Sequence, residues 1–142
     1  MTSPSLELQG AIVALLKDDA TVDSICAGRV FDRVPRNATG AIIAPYPFVG
    51  ISSHQEIYDD SECAEGAQVF ITLDCWSRDV GFPEVHRLAD AVRRALTRND
   101  ITLSDNALVY FRADDARITR DADGISSQAV LTFEAFIETL SP

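Results

Sequence analysis

The sequence predicts an α+β fold: a single mixed or antiparallel sheet of about five to six strands with two main helices packed on one face. Three observations lead there. Gln68–Trp76 alternates apolar and polar residues, and a few positions later Val85, Leu88, Ala89, Val92 and Leu96 recur at helical spacing, so a half-buried strand feeds an amphipathic helix. Leu8, Ala11, Ile12, Leu15 and Leu16 form a second helical stripe near the N-terminus. Two long alternating segments meet at Asp123-Gly124, a strong hairpin signal.

In chain order, the first helix runs from about Ser5 to Lys17, with Ser3 as its cap, Pro4 at its first position and Glu7 near its positive end. After Asp18-Asp19 comes a short helical turn with Val22, Ile25 and Cys26 inward, ended by Gly28 in a left-handed conformation. Arg29–Val34 reads as a strand stopped by Pro35, and Arg36–Gly40 as a turn. Pro45-Tyr46-Pro47 keeps the chain extended ahead of a strand over Phe48–Ser53. The segment His54–Gly66 carries Glu56, Asp59, Asp60, Glu62 and Glu65 and no Lys or Arg; it reads as an acidic loop, solvated or facing a partner, or as the arms of a protruding hairpin around Ile57-Tyr58.

The central helix, Pro83–Leu96, has charges that support it locally, with Asp90–Arg94 and Glu84–Arg87 at pairing distance. A short strand is expected at Ile101–Leu103 and a turn at Ser104–Asn106. Apolar residues then fall at Ala107, Val109, Phe111 and Ala113, and switch parity to Ala116 and Ile118; one extra residue, a β-bulge near Asp114-Asp115, accounts for the switch. Closing the hairpin at Asp123-Gly124 sets Ala122 opposite Ile125, Ile118 opposite Ala129 and Ala116 opposite Leu131, and Leu131, Phe133, Ala135 and Ile137 extend the buried face.

With 142 residues the chain fits one domain, 1–142, able to bury about 70% of its unfolded surface. No run of 18 apolar residues is present, so no membrane partner is expected, and the N-terminus lacks the basic and continuous apolar stretches of a signal peptide. Assembly in a cytoplasm follows as the expectation. The formal charge of −10 disfavours binding to nucleic-acid phosphates or anionic lipid, yet permits a ring through which DNA slides without sticking.

Chemistry-bearing motifs are sparse. Cys26, Cys63 and Cys75 form no C-x-x-C pair, which argues against disulfides or zinc, and Cys75 reads as a small buried hydrophobe. His86 and Asp90 share a helix face, but no nucleophile motif accompanies them. Asp121-Ala122-Asp123-Gly124 resembles part of a calcium loop, but the bidentate Glu is missing at Val130. Arg117 and Arg120 beside Asp121 and Asp123 read as a surface ion-pair cluster. No cofactor, metal or catalytic residue is expected, and the protein is read as a non-enzyme. Trp76 lies on the strand face of Phe70 and Thr72, as core or as interface; with Arg78 it would suit an interface anchor.

An ordered series of segments resembles the tail-completion, or tail-terminator, proteins of long-tailed phages and gene transfer agents. It comprises Leu8–Ile12, Gly28–Pro35, Pro45–Gly50, Leu73–Arg78, Leu88–Leu96, Arg117–Gly124 and the final strand, nearly the whole chain. The resemblance implies a structural virion protein: a homo-oligomeric ring, typically a hexamer, on the head-proximal end of the tail tube. There it would stop tube polymerisation and present a docking surface to the head–tail connector, with DNA as passing cargo. It carries over no catalytic or binding residue. Candidate interface or channel residues are Glu56, Tyr58, Asp59, Asp60, Glu62, Trp76, Arg78, Asp114 and Asp115. The rival readings are another neck or tail-tube component, a small hydrolase or ligand-binding domain using His86 or the acidic segment, and a stand-alone interaction module.

Overall fold

Among the described residues, one sheet of five strands, in the order β1-β2-β3-β5-β4, organises the fold. The computed structural model describes residues 3–60 and 65–139. The elements are α1 (Pro4–Asp18), α2 (Ala20–Cys26), β1 (Val30–Phe31), β2 (Phe48–Tyr58), β3 (Glu65–Ser77), α3 (Pro83–Thr97), β4 (Asn106–Arg120) and β5 (Ser127–Thr139). β1 joins β2 in parallel and the other pairs are antiparallel, so the sheet is mixed. The helices lie on one face, and the fold is α+β as the two hydrophobic periods require.

Pairing of β3 with β5 sets the core. Val69 faces Ala135, Ile71 faces Phe133, Leu73 faces Leu131 and Cys75 faces Ala129, and all eight are buried. Against them α1 packs Leu8, Ile12 and Leu16, and α3 packs Val85, Leu88, Val92 and Leu96. Each large apolar side chain fully removed from water contributes about 1.5–3 kcal/mol. Burial also raises the pKa of the Cys75 and Cys26 thiols, which sit among these residues. Ser3 caps α1 by accepting from the Leu6 amide, and Pro4 fills the first turn.

Several local expectations are corrected. The left-handed end of α2 begins at Ala27 (φ 53°) and continues through Gly28 (φ 75°), so one residue earlier than glycine alone would place it. β1 is two residues long, because only Val30 and Phe31 find partners on β2, at Val49 and Gly50. Ile101–Leu103 forms no strand; Leu103 packs into the core from a connection. The Glu7 carboxylate, which the dipole argument leaves at the helix end, reaches across to that connection. It accepts from the amides of Ser104, Asp105 and Asn106 at 3.1, 2.8 and 3.0 Å. Glu84 accepts from the Ser77 hydroxyl, in place of the expected contact with Arg87.

β4 holds the expected bulge at Asp114, where the register shifts between Ala113 and Asp115. It also holds a second bulge, at Val109, that apolar parity conceals. The core-facing series therefore begins at Leu108, opposite Ile137, and Val109 is exposed. The turn between β4 and β5 is wider than two residues: the Asp121 amide donates to the Ser126 carbonyl, and Gly124 to Asp121. Ile118 opposite Ala129 and Ala116 opposite Leu131 hold as expected, whereas Ala122 and Ile125 fall in the turn and Ile125 is exposed. The side chain of Asp123 accepts from the amides of Ile125 and Ser126 and fixes the turn.

Candidate assembly surfaces

The segment read as acidic loop or hairpin continues β2 and β3 as paired arms. β2 runs to Tyr58, opposite Ala67, and the Asp59 amide donates to the Gly66 carbonyl at 2.9 Å. Glu56 points to the helix side, as does its partner Val69, and accepts from the Ser5 hydroxyl. Tyr58 is 75% exposed. Asp60 and Glu65 join Glu56, Tyr58, Ser3, Pro4 and Thr139 around an open cleft of about 460 Å³ that contains no basic side chain. Glu62 lies outside the described residues.

Trp76 and Arg78 stand at the opposite end of the sheet. Trp76 is half-buried on the face away from the helices, in a row with Phe48 and Gln128. Asp74 lies two residues earlier on that face; burial raises its pKa, against the hydrogen bonds of Ser52 and Gln128. Arg78 stacks over the Tyr46 ring at 4.4 Å, donates to the Ser126 hydroxyl at 3.2 Å and lies 3.9 Å from the Asp123 carboxylate. The ion-pair partner of Asp123 is therefore Arg78. Arg120, expected in that cluster, stacks on Phe82 at 4.6 Å.

Asp114 and Asp115 occupy a third place, midway along the exposed β4 edge. With Arg93, Ala113, Ala116, Leu131 and Phe133 they bound a shallow groove of about 170 Å³. The eight described candidates thus belong to three separate places, not to one site.

A network that sequence reasoning missed lies on the face without helices. Glu134 is buried there, accepting from Arg112 at 2.8 Å, Tyr110 at 3.1 Å and the Gln68 amide. Arg112, then Gln68, hold its carboxyl below the usual range against the opposing effect of burial. Residues from three strands build it, so only the register reveals it.

The His86–Asp90 pair is not assembled. Asp90 accepts from Arg94 at 2.7 Å and Arg93 at 3.0 Å, and the His86 ring stands edge-on to Phe82. Among the described residues, no group of three or more potential metal ligands gathers.

Fold and surfaces together define a small α+β structural subunit: one finished core, with a hairpin, two strand edges and a sheet face left outside it. The chain belongs to the tail completion protein gp17 family, whose model matches residues 10–138. It is a structural tail protein of a phage or phage-like particle.

Among solved structures, a chain in the virion of a native gene transfer agent particle is similar with a TM-score of 0.84 and 23% identity, covering 97% of this chain and 99% of that one. The gp17 protein of bacteriophage SPP1 is similar with a TM-score of 0.60 and 20% identity, covering 96% of this chain and 91% of that one. At these identities the likeness shows the fold. No functionally curated protein sequence matches the chain.

Proposed function

We propose that the protein forms a ring, a hexamer, on the head-proximal end of the tail tube. The ring stops tube polymerisation and offers the surface on which the head–tail connector docks. The observation that carries this reading is the pair of unlike edges on one sheet. β4 is the outermost strand on one side. On the other, β1 covers β2 only at Val49 and Gly50, leaving Ser52–Tyr58 as an edge. A cyclic assembly needs two different patches, one meeting the other on the next copy.

DNA passes through the ring without binding, consistent with the net charge of −10. Some of Glu56, Asp59, Asp60, Glu62, Asp114 and Asp115 line the channel or face neighbouring copies; Tyr58, Trp76 and Arg78 serve as contact anchors. A ring structure with all six acids on the outer wall would contradict that placement.

The functional test adds purified protein to polymerising tail-tube protein. A terminator binds tube ends, arrests growth and leaves tube walls free of the added chain. Incorporation along the tube wall would instead identify a tube subunit, and tubes of unchanged length without bound protein would exclude both.

A further inference from the structure

We propose that successive copies join by strand addition: the outer edge of β4, over Leu108–Asp115, pairs antiparallel with the edge Ser53–Tyr58 of β2 in the next copy. This rests on the ring reading and names the contact that closes the ring. Three features of the sheet lead to it.

The first is direction. β2 is antiparallel to β3, β3 to β5, and β5 to β4, so β2 and β4 run in opposite senses. When a second copy continues the sheet in the same orientation, its β2 lies antiparallel to the first copy's β4, the commoner mode of strand pairing.

The second is level. The register runs straight across the sheet, from Tyr58 through Ala67 and Ile137 to Leu108, and from Ser53 through Thr72 and Thr132 to Asp115. The uncovered part of β2 and residues 108–115 of β4 therefore stand at the same height on opposite edges. The bulges at Ser52 and Asp114 fall on either side of that second row. Both edges thus bend at nearly one level, and each bulge restricts which strand can add beside it.

The third is surface chemistry. Val109 is 55% exposed at the row between Leu108 and Tyr110, and Ile57 and Tyr58 are 44% and 75% exposed at the matching rows on the far edge. Strand addition brings these apolar side chains together and covers main-chain groups along both edges. A long exposed edge is otherwise a hazard that proteins keep from non-specific pairing. Charge adds no pairing to this contact: Arg112 is held by Glu134 on the face without helices, whereas Glu56 points to the helix side.

Cross-linking tests the contact. Within one copy, Ile57 and Val109 are three strand spacings apart, about 14 Å, beyond disulfide reach. The test chain carries Cys63→Ser, Ile57→Cys and Val109→Cys; a control carries Cys63→Ser, Ile57→Cys and Ile125→Cys, since Ile125 is exposed at the far end of the sheet. All substituted positions in the described residues are exposed, and an unchanged melting temperature verifies folding.

Mild oxidation on tail tubes is expected to link the 57/109 chain into a ladder ending at the ring's copy number, with the control at least tenfold less linked. Mass measurement supplies the second readout. Rings on tube ends whose 57/109 pair links no better than the control overturn the strand-addition contact while leaving the ring intact. Absence of any multimer or tube-end binding by the unsubstituted chain overturns the ring and the contact together.

Discussion

β5 and β4 are adjacent strands that share one register, yet they meet different surroundings. On the helix side of β5, Ala129, Leu131, Phe133, Ala135 and Ile137 are buried. Their partners on β4 are Ile118, Ala116, Ala113, Phe111 and Leu108; Ala116 and Ala113 are exposed and the rest half-buried. The helices form one layer on this face, and the half-buried and exposed β4 partners show that the cover thins at the sheet's margin. The interior is finished at β5. β4 extends the sheet past its cover, with small side chains, paired charges and a free main-chain edge. Under the strand-addition proposal, stability and assembly fall to different strands.

This division is open to attack from its strong side first. Leu88→Ala in α3 removes a fully buried side chain and is expected to cost about 2–5 kcal/mol, read as a lower melting temperature, whether or not tubes are present. A loss below about 0.5 kcal/mol would mean that the core is not where stability resides.

A smaller effect is expected at Glu7, which ties α1 to the start of β4. Burial opposes its ionisation, but hydrogen bonds from Asp105, Ser104 and Asn106 outweigh it and hold the carboxyl below the ordinary glutamate value. A depressed pKa places this stabilisation in full above the ordinary glutamate range and removes it as pH falls through the lowered value. Glu7→Gln should cost about 1 kcal/mol at neutral pH and flatten the acid limb of a stability–pH profile. A variant whose acid limb retains the full slope of the natural chain would contradict the role given to Glu7.

Asp90→Ala removes two surface ion pairs on α3 and should cost about 0.5 kcal/mol, less in high salt. Smallest on stability is Val109→Asp, expected within about 0.5 kcal/mol of the natural chain because the side chain is exposed. Its effect belongs to assembly: binding at tube ends should drop at least tenfold. An unfolded Val109→Asp chain would place β4 within the core's cooperative unit and break the division.

The parts legible in sequence are those governed by nearest-neighbour period and turn chemistry. The stripes of α1 and α3, the alternation of Gln68–Trp76 and the parity switch near Asp114 each follow from local geometry, and the turn at Asp123-Gly124 gives the register of Ile118 on Ala129 and Ala116 on Leu131. The second bulge escaped because Val109 is apolar and keeps odd parity with Phe111, so an exposed residue imitates a core one. Ala27 escaped because glycine is the usual left-handed terminator and Gly28 stands next to it.

Long-range polar contacts leave no local signal. Glu7 meets residues 97 to 99 positions away, and Gln68 meets Glu134 across 66. The candidate surfaces were legible as residues but not as places: the acidic arm, Trp76 with Arg78, and Asp114 with Asp115 occupy two ends and one edge, a separation that depends on strand order.

Hydrogen–deuterium exchange of the free and tube-bound protein tests the division most directly. The account predicts new protection on binding in two segments, Ser53–Tyr58 and Leu108–Asp115, with β3, β5 and the buried face of α3 already protected in the free chain and unchanged. Protection confined to the outer faces of the helices, with both edges exchanging as they do in the free protein, would contradict it.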